Sequence, residues 1–255
     1  MLRRLALALA LFASPAAAQV PPQPERIVTA LSQYTVSITA DFSGTEILVF
    51  GAVRREAPVP KGDMQVIITV QGPQEELVVR RKDRRAGIWV NTDEVEVEAA
   101  PSFYAVASSS ELADAISQDE DRRWRVSTLR AIRSEAGAAP GNTEFIDALV
   151  RIREREGMYQ TLPRAVTVAD ETLFSTAVIL PANLTEGVYR VRVLLTRNGK
   201  VIDARPDLIL VHKAGLERWL FRLSREQPLI YGLLTIILAV GAGWGASAGF
   251  RYFRS

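Results

Sequence analysis

Apolar and polar positions follow a period of two over much of this chain, a helical period in its middle, and unbroken apolar runs near its ends. Thr35-Val36-Ser37-Ile38-Thr39 alternates as a half-buried strand does, and Ile47-Leu48-Val49-Phe50 is a continuous run that suits a more central strand. Val66-Ile67-Ile68-Thr69-Val70 lies between the turn signals Lys61-Gly62-Asp63 and Gly72-Pro73. Leu77-Val78-Val79-Arg80 and Ile88-Trp89-Val90 flank a polar turn and predict a hairpin. Val95 and Val97 alternate with Glu94, Glu96 and Glu98, which gives one apolar and one acidic face.

The period changes at Ser108, which stands three residues before Glu111 in a capping-box pattern. Trp124, Leu129 and Ile132 predict one helix that stops near Gly137. Asn142 caps the next, with apolar positions at Phe145, Ile146, Leu149 and Ile152, an exposed Asp147–Arg151 pair, and an end near Gly157. Strand patterns resume at Ala165–Val168, Thr176–Leu180 and Gly187–Val193. Asn198-Gly199 predicts a type I′ hairpin from this strand to the next, and the last strand runs at about 208–211. Tyr189 and Val191 keep the spacing of the tyrosine and core position at the start of the sixth strand of an immunoglobulin sandwich. With seven to nine strands, the predicted fold is mainly β: an immunoglobulin-like β-sandwich with a helical insert at about 108–157. Two small β domains separated by helices is the runner-up.

The ends place that domain. Pro228 to Phe250 is 23 residues without a charge, about 34 Å of helix against a hydrocarbon core of about 30 Å. In 214–227, Leu216, Trp219, Leu220 and Leu223 share one helical face and Arg218, Arg222 and Arg225 the other. That pattern predicts an amphipathic helix at the membrane interface, with Arg218, Trp219, Arg222 and Arg225 meeting lipid phosphates of the bilayer. At the other end, Arg3-Arg4, the apolar Leu5–Ala13 and the small residues up to Ala18 read as a secretory signal peptide cut before Gln19. The expected division is a signal peptide at 1–18, a periplasmic domain at 19–213, the amphipathic helix at 214–227, a transmembrane helix at 228–250 and a cytoplasmic tail at 251–255.

Charge changes the picture once. The chain has 31 Lys and Arg against 29 Asp and Glu. Setting aside Arg3, Arg4, Arg251 and Arg254 leaves 27 basic residues against 29 acidic ones, so the basic excess belongs to the ends and is no argument for nucleic-acid binding, and no nucleic-acid partner is expected. Absence of cysteine excludes disulfides, thiol catalysis and thiolate metal sites. With one histidine, His212, no Ser-His-acid arrangement can be built. Asp119-Glu120-Asp121 and Asp170-Glu171 lack calcium-loop spacing, so solvated acids are the expectation. The reading is of a protein that is not an enzyme and carries no cofactor or metal.

Two stretches remain as contact candidates. Gly241, Gly245 and Gly249 repeat the G-x-x-x-G spacing that lets membrane helices approach closely, as a helix–helix contact with a second copy or a different protein. Arg80, Arg81, Lys82, Arg84 and Arg85 put five basic residues at a hairpin tip, as an anion or partner patch or as a solvated turn paired with Glu94, Glu96 and Glu98.

At Gly87-Ile88-Trp89-Val90-Asn91 and Pro101-Ser102-Phe103-Tyr104, together with the layout of leader and C-terminal span, the chain resembles an uncharacterised family of transmembrane proteins found chiefly in alphaproteobacteria. That resemblance implies an inner-membrane protein of a Gram-negative bacterium, in a setting similar to accessory partners of sulfite/sulfonate-type anion exporters. It carries no catalytic residue over. Trp89 is expected as the core tryptophan of the sandwich, and Phe103 and Tyr104 as packing where the insert leaves the sheet. The expected function is a single-pass membrane protein with a non-enzymatic interaction domain; the alternative is a membrane-anchored sensor or carrier of a small anion at Arg80–Arg85.

Overall fold

The computed structural model describes residues 25–39, 42–56, 58–132, 143–214 and 223–253, with side chains as far as 245. The leader at 1–18, Gly137, Asn142, and Arg218, Trp219 and Arg222 of the amphipathic stretch lie outside the described residues.

Most of the described chain is strand. A four-stranded sheet runs in the order β1 (Arg26–Leu31), β3 (Thr45–Arg54), β10 (Leu173–Leu180), β9 (Thr167–Ala169). A six-stranded sheet runs β2 (Thr35–Ile38), β12 (Lys200–Lys213), β11 (Gly187–Arg197), β4 (Met64–Gln71), β7 (Tyr104–Ser108), β8 (Tyr159–Leu162). β5 (Gln74–Arg85) and β6 (Ile88–Pro101) pair only with each other. Leaving aside that ribbon, the edge strands β2 and β8, and β7 between β4 and β8, the two orders run as the ABED and CFG sheets of the immunoglobulin plan do. Tyr189 makes the matching corner, its hydroxyl donating to the Thr185 carbonyl at 2.9 Å. Burial pushes that phenol up to about 12, since a phenolate there would lose its water.

Register explains the core. Val191 faces Val70, Val193 faces Ile68 and Leu195 faces Val66 across the β11–β4 ladder, and these side chains join Ile47, Val49, Phe174 and Val178 of the other sheet in one cluster. The opposite parity of the same strands is buried too, at Ile67, Thr69, Leu194 and Thr196, with Val106 of β7 beside Thr69. A sheet covered on both faces needs continuous apolar strands, which is why 66–70 and 104–108 do not alternate.

The second cover is the helical insert. α1 (Leu112–Ala115), α2 (Gln118–Trp124), α3 (Thr128–Ala131) and α4 (Thr143–Arg155) follow β7. Thr196 donates its hydroxyl to the Ala115 carbonyl at 2.6 Å, and Tyr104 donates to that of Val126 at 2.5 Å. The predicted cap at Ser108 is displaced: Ser108 ends β7 and bonds the Ser110 carbonyl, while Ser117 accepts from the Glu120 amide at the start of α2. The helix expected over Trp124, Leu129 and Ile132 is broken at Arg125, whose left-handed backbone (φ 51°) closes α2 before α3 begins. Leu129 and Ile152, expected to be buried, are exposed, whereas Phe145, Ile146 and Leu149 are buried as their spacing requires.

The ribbon corrects a second expectation. Its turn is Ala86-Gly87, with φ of 50° and 88°, so the basic stretch lies within β5. Trp89 stands there opposite Arg84 and is 69% exposed, with Ile88 at 64%. It is no core tryptophan: the ribbon leaves the sandwich before it reaches Trp89, and the most deeply buried rings are Phe103, Tyr104, Tyr159 and Tyr189.

Candidate functional site

Four places on the chain have the chemistry of a contact or a site. The first is α5 (Pro228–Phe253), long and apolar enough to cross a membrane. None of its first 18 residues is buried by the described chain, and nothing comes within 4 Å of a Cβ built at Gly241 or Gly245. Gly249 lies one further turn along the same helix. Arg225 belongs to the helical turn just before it.

The second is the basic ribbon. Alternation along β5 sends Arg80, Lys82 and their neighbours to opposite faces, so the five cations do not converge. Arg80 reaches Glu94 at 3.1 Å, as expected from the acidic face of β6. Arg81 instead crosses to Glu144 at 2.6 Å and lies over the Phe145 ring at 4.8 Å, which fastens the ribbon to α4. Arg85 stands 3.8 Å from Asp83.

The third is the outward face of the four-stranded sheet, which is apolar. Val28, Ala52 and Leu173 are in register across β1, β3 and β10, and Ala30, Phe50 and Ser175 form the next rung. Between them lies a shallow cleft of about 570 Å³. An outer sheet face ordinarily alternates to polar residues, so Val28, Phe50, Leu173 and Ile179 in the open mark a surface of a different kind.

The fourth, which sequence reasoning missed, is an arginine-lined pocket of about 280 Å³ between the insert and the six-stranded sheet. Arg190 and Arg192, two apart on β11, point from one sheet face; Arg123 and Arg125 come from the end of α2. Arg192 is fixed by donating from Nη1 to the Trp124 carbonyl at 2.8 Å, from Nη2 to that of Arg125 at 3.3 Å and from Nε to Thr69 Oγ1 at 3.3 Å. Tyr104 supports the same loop, and burial raises its phenol well above the ordinary range.

A fifth cluster is structural. Glu25 accepts from Arg197 in a bidentate pair at 2.9 and 3.0 Å and from Arg55 at 2.6 Å, all three side chains being largely buried. Desolvation alone would raise its carboxyl, but the bonds from Arg197 and Arg55 outweigh it and hold the group below its ordinary value. His212 meets Ser37 Oγ through Nε2 at 3.1 Å. Asp119 pairs with Arg122, and Asp121 accepts from the Val126 and Ser127 amides, so neither is free for a cation. Among the described residues no cluster of acids or histidine could hold a metal ion.

No curated protein sequence matches the chain. Among solved structures it is similar to the crystal structure of Spo0M, a sporulation control protein from Bacillus subtilis, at 12% identity and a TM-score of 0.27 over 76% of this chain and 51% of that one. The chain thus spans about half of that structure. The match that identifies it is to the family described as "Putative transmembrane protein (Alph_Pro_TM)", over residues 26–252, ribbon, sandwich, insert and apolar helix together, and the chain belongs to that family.

Proposed function

We propose that this protein is a single-pass inner-membrane protein whose β domain, on the periplasmic side, acts without catalysis as an accessory subunit of another membrane protein. The observation that carries the reading is the apolar outer face of β1, β3 and β10, uncovered in a domain tethered beside a bilayer. Surfaces of that kind bind partners, because Val28, Phe50 and Leu173 are each about half exposed, and covering them would gain roughly half of the 1.5–3 kcal/mol that full burial of such a side chain gives. The glycine positions of α5 offer the partner a second contact within the membrane. An exporter of small anions is the partner that the family resemblance implies.

The test is co-purification from native membranes in mild detergent. Phe50→Glu and Leu173→Glu are expected to strip the partner while the ectodomain stays folded, since both side chains are already about half solvated. Gly245→Leu is expected to weaken recovery in the same way. Undiminished recovery in all three variants would sink this reading.

A further inference from the structure

We propose that the pocket between α2 and β11 is a binding site for a tetrahedral oxoanion of the phosphate or sulfate class, free or as the head of a small ester. This goes beyond the partner reading above and does not depend on it.

The argument starts from an uncompensated charge. Arg123, Arg125, Arg190 and Arg192 line one pocket with Gln71 and Gln74, and no carboxylate among the described residues lines it. The acids nearest in sequence to Arg123 and Arg125 are turned elsewhere. Glu120 accepts from Trp124 Nε1 at 3.0 Å and from the Val201 amide at 3.3 Å, and stands 3.8 Å from Arg123 at the loosest ion-pair distance. Asp121 is taken up by the Val126 and Ser127 amides and the Ser127 hydroxyl. Arg125 and Arg190 make no ion pair among the described residues. Like charges gathered in a partly enclosed cleft repel each other and focus a positive potential, and a bound dianion relieves both.

Shape and donors set the ligand class. Guanidinium groups present planar forks that match two oxygens at once, and side-chain amides of Gln71 and Gln74 add neutral donors. Arg192, already held by three bonds to Trp124, Arg125 and Thr69, is preorganised rather than free to collapse into solvent. Arg125 occupies the left-handed region at φ 51°, a backbone state that non-glycine residues adopt rarely and that concentrates at binding sites. The ribbon carries more basic residues in a row but presents them to both faces, so it lacks this convergence.

The experiment uses the full chain in detergent and titrates sodium phosphate, sodium sulfate and glycerol 3-phosphate calorimetrically, each against sodium chloride at equal ionic strength. Saturable binding of the oxoanions with none of chloride is expected. Arg125→Gln and Arg190→Gln, which break no described bond of their side chains, should each raise Kd about tenfold, the usual scale for one charged hydrogen-bond partner. Arg84→Gln with Arg85→Gln should leave Kd unchanged. Tighter binding of glycerol 3-phosphate than of free phosphate would assign the site to an ester head; the reverse would assign it to the free ion. The proposal is overturned if heats match chloride, or if the ribbon variants weaken binding as much as the pocket variants. Neither result touches the partner reading, which no anion titration measures.

Discussion

The two groups of arginines differ in opposite ways along the chain and in space. Arg80, Arg81, Arg84 and Arg85 crowd into six consecutive positions, yet β alternation and a protruding ribbon disperse them, one to Glu94 and another to Glu144. Arg123, Arg125, Arg190 and Arg192 are split between two elements 65 residues apart, yet the covering of β11 by α2 gathers them round one pocket. Density in sequence therefore measures local solvation, and convergence depends on which sheet face the insert lies upon.

A third setting sharpens that contrast, because it has a counter-ion where the described residues give the pocket none. Glu25→Ala would leave Arg55 and Arg197 buried without their carboxylate, and we expect a loss of about 3–5 kcal/mol in chemical denaturation. The same group gives the sign of the acid response. Its folded carboxyl lies below 4.5, so its stabilisation is complete above that value and is lost as pH falls through the folded value. Melting temperature should thus hold steady from neutral pH to about 4.5 and decline below it, with a shallower decline in Glu25→Gln.

Next in size is Arg192→Ala, which removes three bonds that join the insert to the sheet and orphans the Trp124 carbonyl. A loss of about 2–3 kcal/mol is expected, read by urea unfolding. A loss near zero would mean the insert is held by apolar packing and the Thr196 and Tyr104 bonds without help from Arg192, and the pocket's geometry would lose its anchor. Smallest is the ribbon: Arg84→Gln with Arg85→Gln should change stability by less than about 0.5 kcal/mol, since exposed ion pairs contribute little. A larger loss would show that these side chains do pair in a structural way, and would break the contrast.

Much of the sandwich was legible because half-buried strands alternate. Thr35–Ile38, Thr176–Leu180 and the Asn198-Gly199 turn, with φ of 50° and 74°, stand where their patterns put them. β7 and β8 were not legible, since Tyr104–Ser108 is buried on both faces and carries no period of two, and Tyr159–Leu162 is too short to show one. Trp89 was misplaced because hydrophobicity alone cannot tell a core ring from one at the end of a ribbon. The glycine and ribbon candidates were visible as motifs. The pocket had only a faint mark, the i, i+2 spacing of Arg190 and Arg192 on one strand face, and its other half depends on where a helix ends.

β2 and β12 are neighbours in parallel, Thr35 beside Leu210 through Ile38 beside Lys213, and β12 is the strand that leads on to the membrane helix. Tension between the chain before β2 and the bilayer would pull these two strands in opposite directions along their common axis. Their backbone bonds, with those of Leu210 to Tyr34 and Ala214 to Ile38 at either end, would then be sheared together rather than unzipped in turn. The pairing of β2 with β12 is accordingly a mechanical clamp, strongest along the line in which a tethered domain is pulled.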